Sequence, residues 1–245
     1  MTGGLFRILE NRPLNRDMIL LRLGGDSSGF TNPGQFADIR VPGKFLRRPI
    51  SVCDWREGEL TLVYRVLGAG TAALREMKPG AELDLLIGLG NGYNLGKAGP
   101  APILLGGGSG IPPLLGLCRR LMAGGAKPRV LLGYRTADDA YLAGDFEALG
   151  AEVLISTGDG SLGVRGMVTD LMAGLEYSFF YACGPEPMYR SVAKAAKAPG
   201  QYSFEARMGC GFGACMGCSC ETLAGTKRIC RDGPVMESGE IKWEN

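Results

Sequence analysis

From its N-terminus the chain alternates short apolar runs with turn residues. Phe6–Leu9, Met18–Leu23, Phe36–Val41, Pro49–Cys53 and Leu60–Val66 are β-type segments, punctuated by Asn32-Pro33-Gly34, Val41-Pro42-Gly43 and Arg56-Glu57-Gly58. Short strands at this spacing predict a small antiparallel barrel. One helix interrupts them: Thr71 is a plausible N-cap for residues 72–77, which Pro79-Gly80 stops.

From about residue 100 the period changes. Strands Pro102–Leu105, Arg129–Tyr134, Glu152–Ser156 and Tyr177–Ala182 alternate with helical stretches at 113–123, 143–149, 166–174 and 186–197. Repeated strand–helix units predict a parallel sheet with helices on its faces. Residues 201–245 are rich in Cys and Gly and lack regular periodicity; too few to hold a large core, they need a staple. The pattern divides the chain into a barrel (1–97), an α/β domain (98–200) and a small C-terminal domain (201–245).

Composition narrows the chemistry. The 245 residues are 45% hydrophobic and 21% charged, ordinary globular usage. With 27 Lys and Arg against 25 Asp and Glu, a net charge of +2 gives no electrostatic case for nucleic acid or an acidic membrane. No run approaches the ~20 apolar residues that span a bilayer, and no basic-then-apolar leader follows Met1. The expectation is a cytoplasmic protein, in which clustered cysteines hold metal more often than disulfides. The chain has no histidine. That removes Ser-His-Asp and Cys-His catalysis, His-ligated zinc, Rieske-type clusters and His-ligated haem. Acid–base work would fall to Asp, Glu, Lys, Tyr or Cys. Glycine, at 40 residues, is about twice its ~7% norm and suits tight turns and close approach to a ligand.

Of eight cysteines, Cys210, Cys215, Cys218 and Cys230 follow the C-x4-C-x2-C spacing with a distant fourth member that plant-type [2Fe–2S] clusters use. Each iron needs two thiolates, and Gly209, Gly211, Gly213 and Gly217 let the loop wrap and aim amides at sulfur. A structural four-cysteine zinc site is the alternative, although such sites more often use two C-x2-C knuckles. Cys220 can replace a neighbour as ligand or stand by as a thiol. Upstream, Gly106-Gly107-Gly108-Ser109-Gly110 follows a strand and opens a helix at Pro113, a place where backbone amides receive phosphate. It lacks the third glycine of G-x-G-x-x-G, and a plain tight turn reads equally well. Arg135 suits a 2′-phosphate, whereas Asp138 or Asp139 suits a ribose 2′-hydroxyl. Cys183-Gly184-Pro185 ends the last strand, where a parallel sheet presents its ligand crevice; buried thiol is the bland reading of Cys183. In the barrel, Arg47-Arg48-Pro49-Ile50-Ser51 alone reads first as a surface basic pair, but with Gly68-x-Gly70-Thr71 it could hold a pyrophosphate.

Taken in order, these motifs resemble the ferredoxin–NADP reductase superfamily, which pairs an FAD-binding barrel with a nicotinamide-dinucleotide domain. Met208–Cys218, Cys230–Val235 and Gly158–Thr169 narrow the resemblance to the electron-transfer subunits of type B, NAD-linked dihydroorotate dehydrogenases. It covers essentially the whole chain. The resemblance implies that Arg48, Pro49, Ile50 and Ser51 contact FAD, with Arg48 on the pyrophosphate and Ser51 near the isoalloxazine. Val63, Tyr64 and Arg65 would line the flavin, and Gly70 and Thr71 would seat its phosphates. Gly106, Gly107, Gly108 and Gly110 would cradle the NAD pyrophosphate. Cys183, with Gly184 and Pro185, would lie near the nicotinamide, and Asp159 and Ser161 near the adenosine ribose. The four cysteines 210, 215, 218 and 230 would ligate the cluster. Ile50 departs from the superfamily's usual Arg-x-Tyr-Ser, where an aromatic stands. The implied partner is an FMN-containing catalytic subunit, in a heterotetramer of two plus two, serving pyrimidine biosynthesis. Two rivals share parts of the pattern: a flavin and iron–sulfur subunit of a sulfide dehydrogenase or NADPH–ferredoxin oxidoreductase, and a zinc-stapled nucleotide-binding regulator.

Overall fold

A computed structural model describes residues 1–243. Six strands form the first layer: β1 (Thr2–Pro13), β2 (Met18–Gly24), β3 (Phe36–Arg40), β4 (Arg48–Arg56), β5 (Glu59–Arg65) and β6 (Glu82–Leu89). They close as an antiparallel barrel in the order β1-β2-β5-β4-β3-β6. The long β1 makes closure possible. Its first half pairs with β6 and its second with β2, around a register shift between Ile8 and Glu10. Bulges of this kind bend a strand so that it serves two neighbours. Phe6, Ile8, Leu21, Leu23, Leu62 and Leu85 alternate inward and fill the interior. Strand β6 was not foreseen: Glu82-Leu-Asp-Leu-Leu-Ile-Gly-Leu89 alternates well, with its even-numbered positions more open than its odd.

Helix α1 (Ala69–Arg75) starts earlier than the sequence suggests. Thr71 is not its N-cap but lies in its first turn, where its hydroxyl oxygen accepts from the amides of Leu67 and Gly68 at 3.0 and 3.2 Å. The cap is Gly68, whose extended backbone needs no side chain to begin the turn.

The second layer is a seven-stranded sheet. Its strands are β7 (Ile103–Gly107), β8 (Arg129–Tyr134), β9 (Glu152–Thr157), β10 (Val164–Arg165), β11 (Phe180–Cys183), β12 (Gly200–Ser203) and, after the hairpin β13 (Ser219–Thr222) and β14 (Gly225–Arg228), β15 (Val235–Glu237). The order is β10-β9-β8-β7-β11-β12-β15, parallel except for β15. Helices α2 (Pro113–Ala123), α3 (Ala143–Ala148) and α4 (Glu186–Ala195) accompany it. The helix expected over 166–174 is only a 3-10 turn, Val168–Met172. Gly166 at φ +144° and extended Met167 precede it, and Gly174 at φ +74° follows, which leaves too little chain for α-helix nucleation. The strand expected from Tyr177 begins at Phe180.

Strand β15 supplies the staple that the cysteine-rich region needs. It returns antiparallel onto β12, with Tyr202 opposite Met236. Barrel and sheet share one apolar cluster containing Met18, Val63, Tyr93, Leu115, Cys183 and Val235. Among the described residues no helix is long and apolar enough to cross a membrane.

Candidate functional site

Strand order reverses between β7 and β11, so their carboxyl ends form the crevice where open α/β sheets bind ligands. Gly106 and Gly107 end β7, Gly108–Gly110 make a 3-10 turn, and Pro113 opens α2. The bare backbone is required here. A Cβ on Gly110 would overlap the Cys183 carbonyl, and one on Gly107 would lie 2.7 Å from the Met188 sulfur. Gly108 holds φ +52°, and the Tyr141 hydroxyl donates to its carbonyl at 2.7 Å. A cleft of about 440 Å³ opens above these loops. Gly107, Gly108, Pro185 and Met188 form one wall, and Asp17, Met18 and Arg65 of the barrel form the other. Tyr134, Arg135, Asp139, Gly158 and Val168 extend it across β8 and β9. Arg135 and Asp139, read in sequence as alternatives, form one bidentate pair at 3.0 and 3.1 Å.

Cys183 is buried behind this wall and does not line the cleft. Burial, aided by the charge of Glu205, pushes its thiol up to about 12 against hydrogen bonding with Ser203, Tyr189 and Tyr93. Gly184 is held from below: its amide donates to the Tyr189 hydroxyl at 3.0 Å, and that hydroxyl donates to the Ser203 carbonyl. Asp159 and Ser161 lie on an exposed loop beyond Gly158. Asp159 accepts from the Ser161 hydroxyl at 2.6 Å, and the Ser161 oxygen accepts from the Ala137 amide at 2.8 Å. This ties the loop to the segment that carries Arg135 and Asp139.

On the barrel, Arg48 lies flat against Gly70, so any Cβ there would overlap the guanidinium. The first residue of β4 and the start of α1 are thereby brought together, forming a cradle of one cation and the Gly68–Thr71 turn. Pro49, Ile50 and Ser51 follow, half-buried. Strand alternation separates Val63 from Tyr64. Val63 joins the cluster shared with the sheet, whereas the Tyr64 ring fills the barrel core with its hydroxyl unpartnered among the described residues. Only Val63 and Arg65 therefore offer side chains outward, and Arg65 reaches Asp17 at 3.3 Å on the cleft wall.

The cysteines stand as two pairs. The Cys210 sulfur accepts from the amides of Ala214 and Cys215 at 3.2 and 3.4 Å, and the Cys218 sulfur accepts from the Cys230 amide at 3.4 Å. Burial raises the Cys210 thiol, but the amides of Cys215, Phe212 and Ala214 outweigh it and lower the thiol to about 6. Amides aimed at sulfur are the donor set that an anionic thiolate cluster requires. Two thiolates per iron is what a two-iron cluster asks of these four cysteines. Cys220 lies on the hairpin strand β13.

Some structural residues carried no sequence signal. Asn91 clasps the stretch after Cys230: its amide group donates to the Val235 and Asp232 carbonyls at 2.7 and 3.3 Å, and its oxygen accepts from the Val235 amide at 3.1 Å. Asp38, buried on β3, lies beneath the cysteine loop, where a Cβ on Gly211 would come within 2.6 Å of its carboxylate. Burial raises the Asp38 carboxyl to about 6, with Arg47 and Arg48 opposing and Cys210 adding to the rise. Both are single polar residues whose partners are distant in sequence, so no spacing could reveal them.

Residues 205–242 match the family described as the iron–sulfur cluster binding domain of dihydroorotate dehydrogenase B. The chain is 41% identical over 222 residues, 85% of its length and 86% of the relative's, to the dihydroorotate dehydrogenase B (NAD(+)) electron transfer subunit of Bacillus caldolyticus. It is 39% identical to the protein of that name from Shouchella clausii, covering 97% of both chains. Among solved structures, an NADH-dependent reduced ferredoxin–NADP oxidoreductase superposes with a TM-score of 0.88 at 28% identity, covering 98% of this chain and 90% of that one. The ferredoxin reductase of carbazole 1,9a-dioxygenase, at 22% identity and a TM-score of 0.68 over 79% of this chain and 65% of its own, shares the fold.

Proposed function

The chain belongs to the family of dihydroorotate dehydrogenase B electron transfer subunits, and from that premise we propose that it links NAD to a catalytic dihydroorotate dehydrogenase subunit through FAD and a [2Fe–2S] cluster. The observation that carries the reading is the pairing of Cys210 with Cys215 and of Cys218 with Cys230, each pair with an amide aimed at sulfur, on a loop packed over barrel strand β3.

The residues divide the work as follows. Arg48 and the Gly68–Thr71 turn hold the FAD pyrophosphate, Ser51 faces its ring, and Val63 and Arg65 close the flavin site. Gly107 and Gly108 offer backbone to the NAD pyrophosphate, and Gly106, Gly110 and Gly184 let the two crevice loops approach that closely. Cys183 and Pro185 support the nicotinamide end, and Asp159 and Ser161 the adenosine ribose. When bound, FAD would supply hydride exchange with NAD, and the cluster would supply one-electron transfer. The chain itself orients both cofactors and excludes water between the barrel and the sheet.

Deprotonating dihydroorotate needs a general base. A chain without histidine, whose cleft acids Asp17 and Asp139 are already paired with Arg65 and Arg135, is poorly placed to supply one. That step falls to the catalytic partner, an FMN-containing subunit, in an assembly of two plus two in pyrimidine biosynthesis. We place the complex in the cytoplasm, where the chain's thiols stay reduced. The superposition at a TM-score of 0.88 supports a second reading, an NADPH–ferredoxin oxidoreductase subunit. Purification with the natural partner separates the two. An FMN protein of the dihydroorotate dehydrogenase type, with NADH-dependent dye reduction by this chain alone, supports the first reading. Dihydroorotate oxidation by the isolated, FMN-free chain would overturn it.

A further inference from the structure

Away from the cleft, barrel and sheet meet along a tight seam between β4 and α2. The α-carbon of Gly116 lies so close to β4 that a Cβ there would stand 2.8 Å from the Cys53 carbonyl. One residue further along the strand, Asp54 is 7% exposed. Its two carboxylate oxygens receive Arg119 at 2.8 Å and Arg120 at 3.2 Å. Arg120 is anchored three more times: onto the Gly116 carbonyl at 3.1 Å, the Trp55 carbonyl at 3.5 Å and the face of the Trp55 ring at 3.4 Å. A buried carboxylate gripping two arginines of another layer is costly to disrupt, because breaking it leaves charge uncompensated.

The two elements joined here each lead to one of the sites described above. Strand β4 begins at Arg48–Ser51, and α2 emerges from Gly106–Gly110. Ser51 is three residues from Asp54, and Pro113 six from Arg119. At about 3.3 Å per strand residue and 1.5 Å per helical residue, the clamp stands about 10 Å from each site along a rigid element. A rotation of about 5° at the clamp therefore moves either end by about 1 Å, an error that chemistry between two bound groups does not tolerate.

We propose that Asp54 is a positioning residue for hydride exchange: by gripping Arg119 and Arg120 it fixes the angle between the flavin seat and the dinucleotide loop. This rests on the reading that Arg48–Ser51 seats FAD and Gly106–Gly110 seats NAD. Asp54 touches neither cofactor, so its loss acts on the geometry between them and not on their retention.

The test uses the complex purified with its catalytic partner. Asp54→Asn should retain FAD, iron and the visible spectrum of the wild type. At saturating NADH, stopped-flow bleaching of its flavin should slow roughly tenfold or more, with KM little changed. Amide exchange should accelerate in 50–56 and 113–123. Asp54→Glu, which keeps the carboxylate, should recover part of the rate. An Arg119→Met, Arg120→Met double variant should reproduce the defect, with Asp54→Asn adding little to it. If Asp54→Asn fails to fold, the arginine variants carry the same measurement. Wild-type bleaching rates in variants whose seam exchanges faster would sink the proposal and leave the clamp a matter of stability alone. Failure of the wild-type complex to bleach with NADH would instead overturn the functional reading beneath it.

Discussion

Gly110 packs its α-carbon against the carbonyl of Cys183, so that the loops ending β7 and β11 touch through bare backbone. The contact sets the depth of the crevice at the sheet's switch point. Even a methyl group must push the loops apart, and the displaced backbone is the one proposed to receive the dinucleotide. Gly110→Ala should therefore raise the KM for NADH about tenfold or more, while FAD and cluster absorbance stay at wild-type levels. Unchanged NADH kinetics in a folded Gly110→Ala protein would count against a dinucleotide at this turn.

Beneath the same crevice, Tyr189 acts as a two-way hydrogen-bond post between the Gly184 amide and the Ser203 carbonyl. Tyr189→Phe keeps the ring packing against Tyr202 and Phe204 and removes only the hydroxyl. The Gly184 amide then loses its partner inside the protein, at a cost of about 1–3 kcal/mol. Thermal melting should register that loss, and NADH affinity should fall with it. A variant as stable as the wild type, with unaltered NADH binding, would show that the post is dispensable.

The buried Cys183 thiol gives a pH signature. Its folded value lies near 12, whereas an unfolded thiol titrates near 8.5. Between those limits the unfolded chain loses a proton that the folded one keeps. Stability must therefore fall as pH rises, by up to about 1.4 kcal/mol per pH unit from this group. Cys183→Ala should make denaturation midpoints fall less steeply above pH 8.5, with buried Cys53 and Cys118 carrying the remaining slope, and in native wild type Cys183 should resist iodoacetamide at pH 8. Rapid alkylation of Cys183 in the native state would contradict its burial.

How far the sequence carried this picture depended on whether a feature was local. The C-x4-C-x2-C spacing, the glycine turn after β7 and helix α2 at 113–123 are written in contiguous residues and were legible. A hydroxyl residue such as Thr71 favours the cap position, but Gly68 starts the helix and Thr71 closes its turn from inside. The helix expected at 166–174 failed because Gly166 and Gly174 bracket it. Tyr64 and Val63, quoted together from the resemblance, point to opposite sides of one strand. Asp54 lay in an unremarkable Cys-Asp-Trp stretch, and its partners are 65 and 66 residues away. Long-range polar pairs of this kind leave no periodicity behind.

Cluster ligation can be divided residue by residue. On the proposed ligation, in which the Cys218–Cys230 pair serves one iron and the barrel holds FAD, Cys218→Ser should bleach the long-wavelength cluster absorbance and leave the flavin bands. Cys220→Ser should leave both. The reverse result, with Cys220→Ser bleaching the cluster and Cys218→Ser sparing it, would give the place of Cys218 to Cys220 on the hairpin.

Asn91 connects the turn after Cys230 to the barrel. It lies just past β6, yet all three of its side-chain hydrogen bonds go to Asp232 and Val235, the residues that follow Cys230. Its own amide donates to the Gly233 carbonyl at 2.7 Å, so backbone and side chain grip the same turn. Asn91→Ala removes three hydrogen bonds at about 1 kcal/mol each and should loosen the turn without unfolding the barrel. Cys230 would then exchange its place more readily, and the cluster should be lost to a chelator several times faster than in the wild type. Asn91→Asp sharpens the test. Aspartate still accepts from the Val235 amide, but it turns a carboxylate oxygen toward the Val235 and Asp232 carbonyls in place of the donor. It should therefore be no better than alanine. Cluster lifetimes in Asn91→Ala equal to the wild type would mean that the antiparallel pairing of β15 with β12 alone is enough to hold the turn.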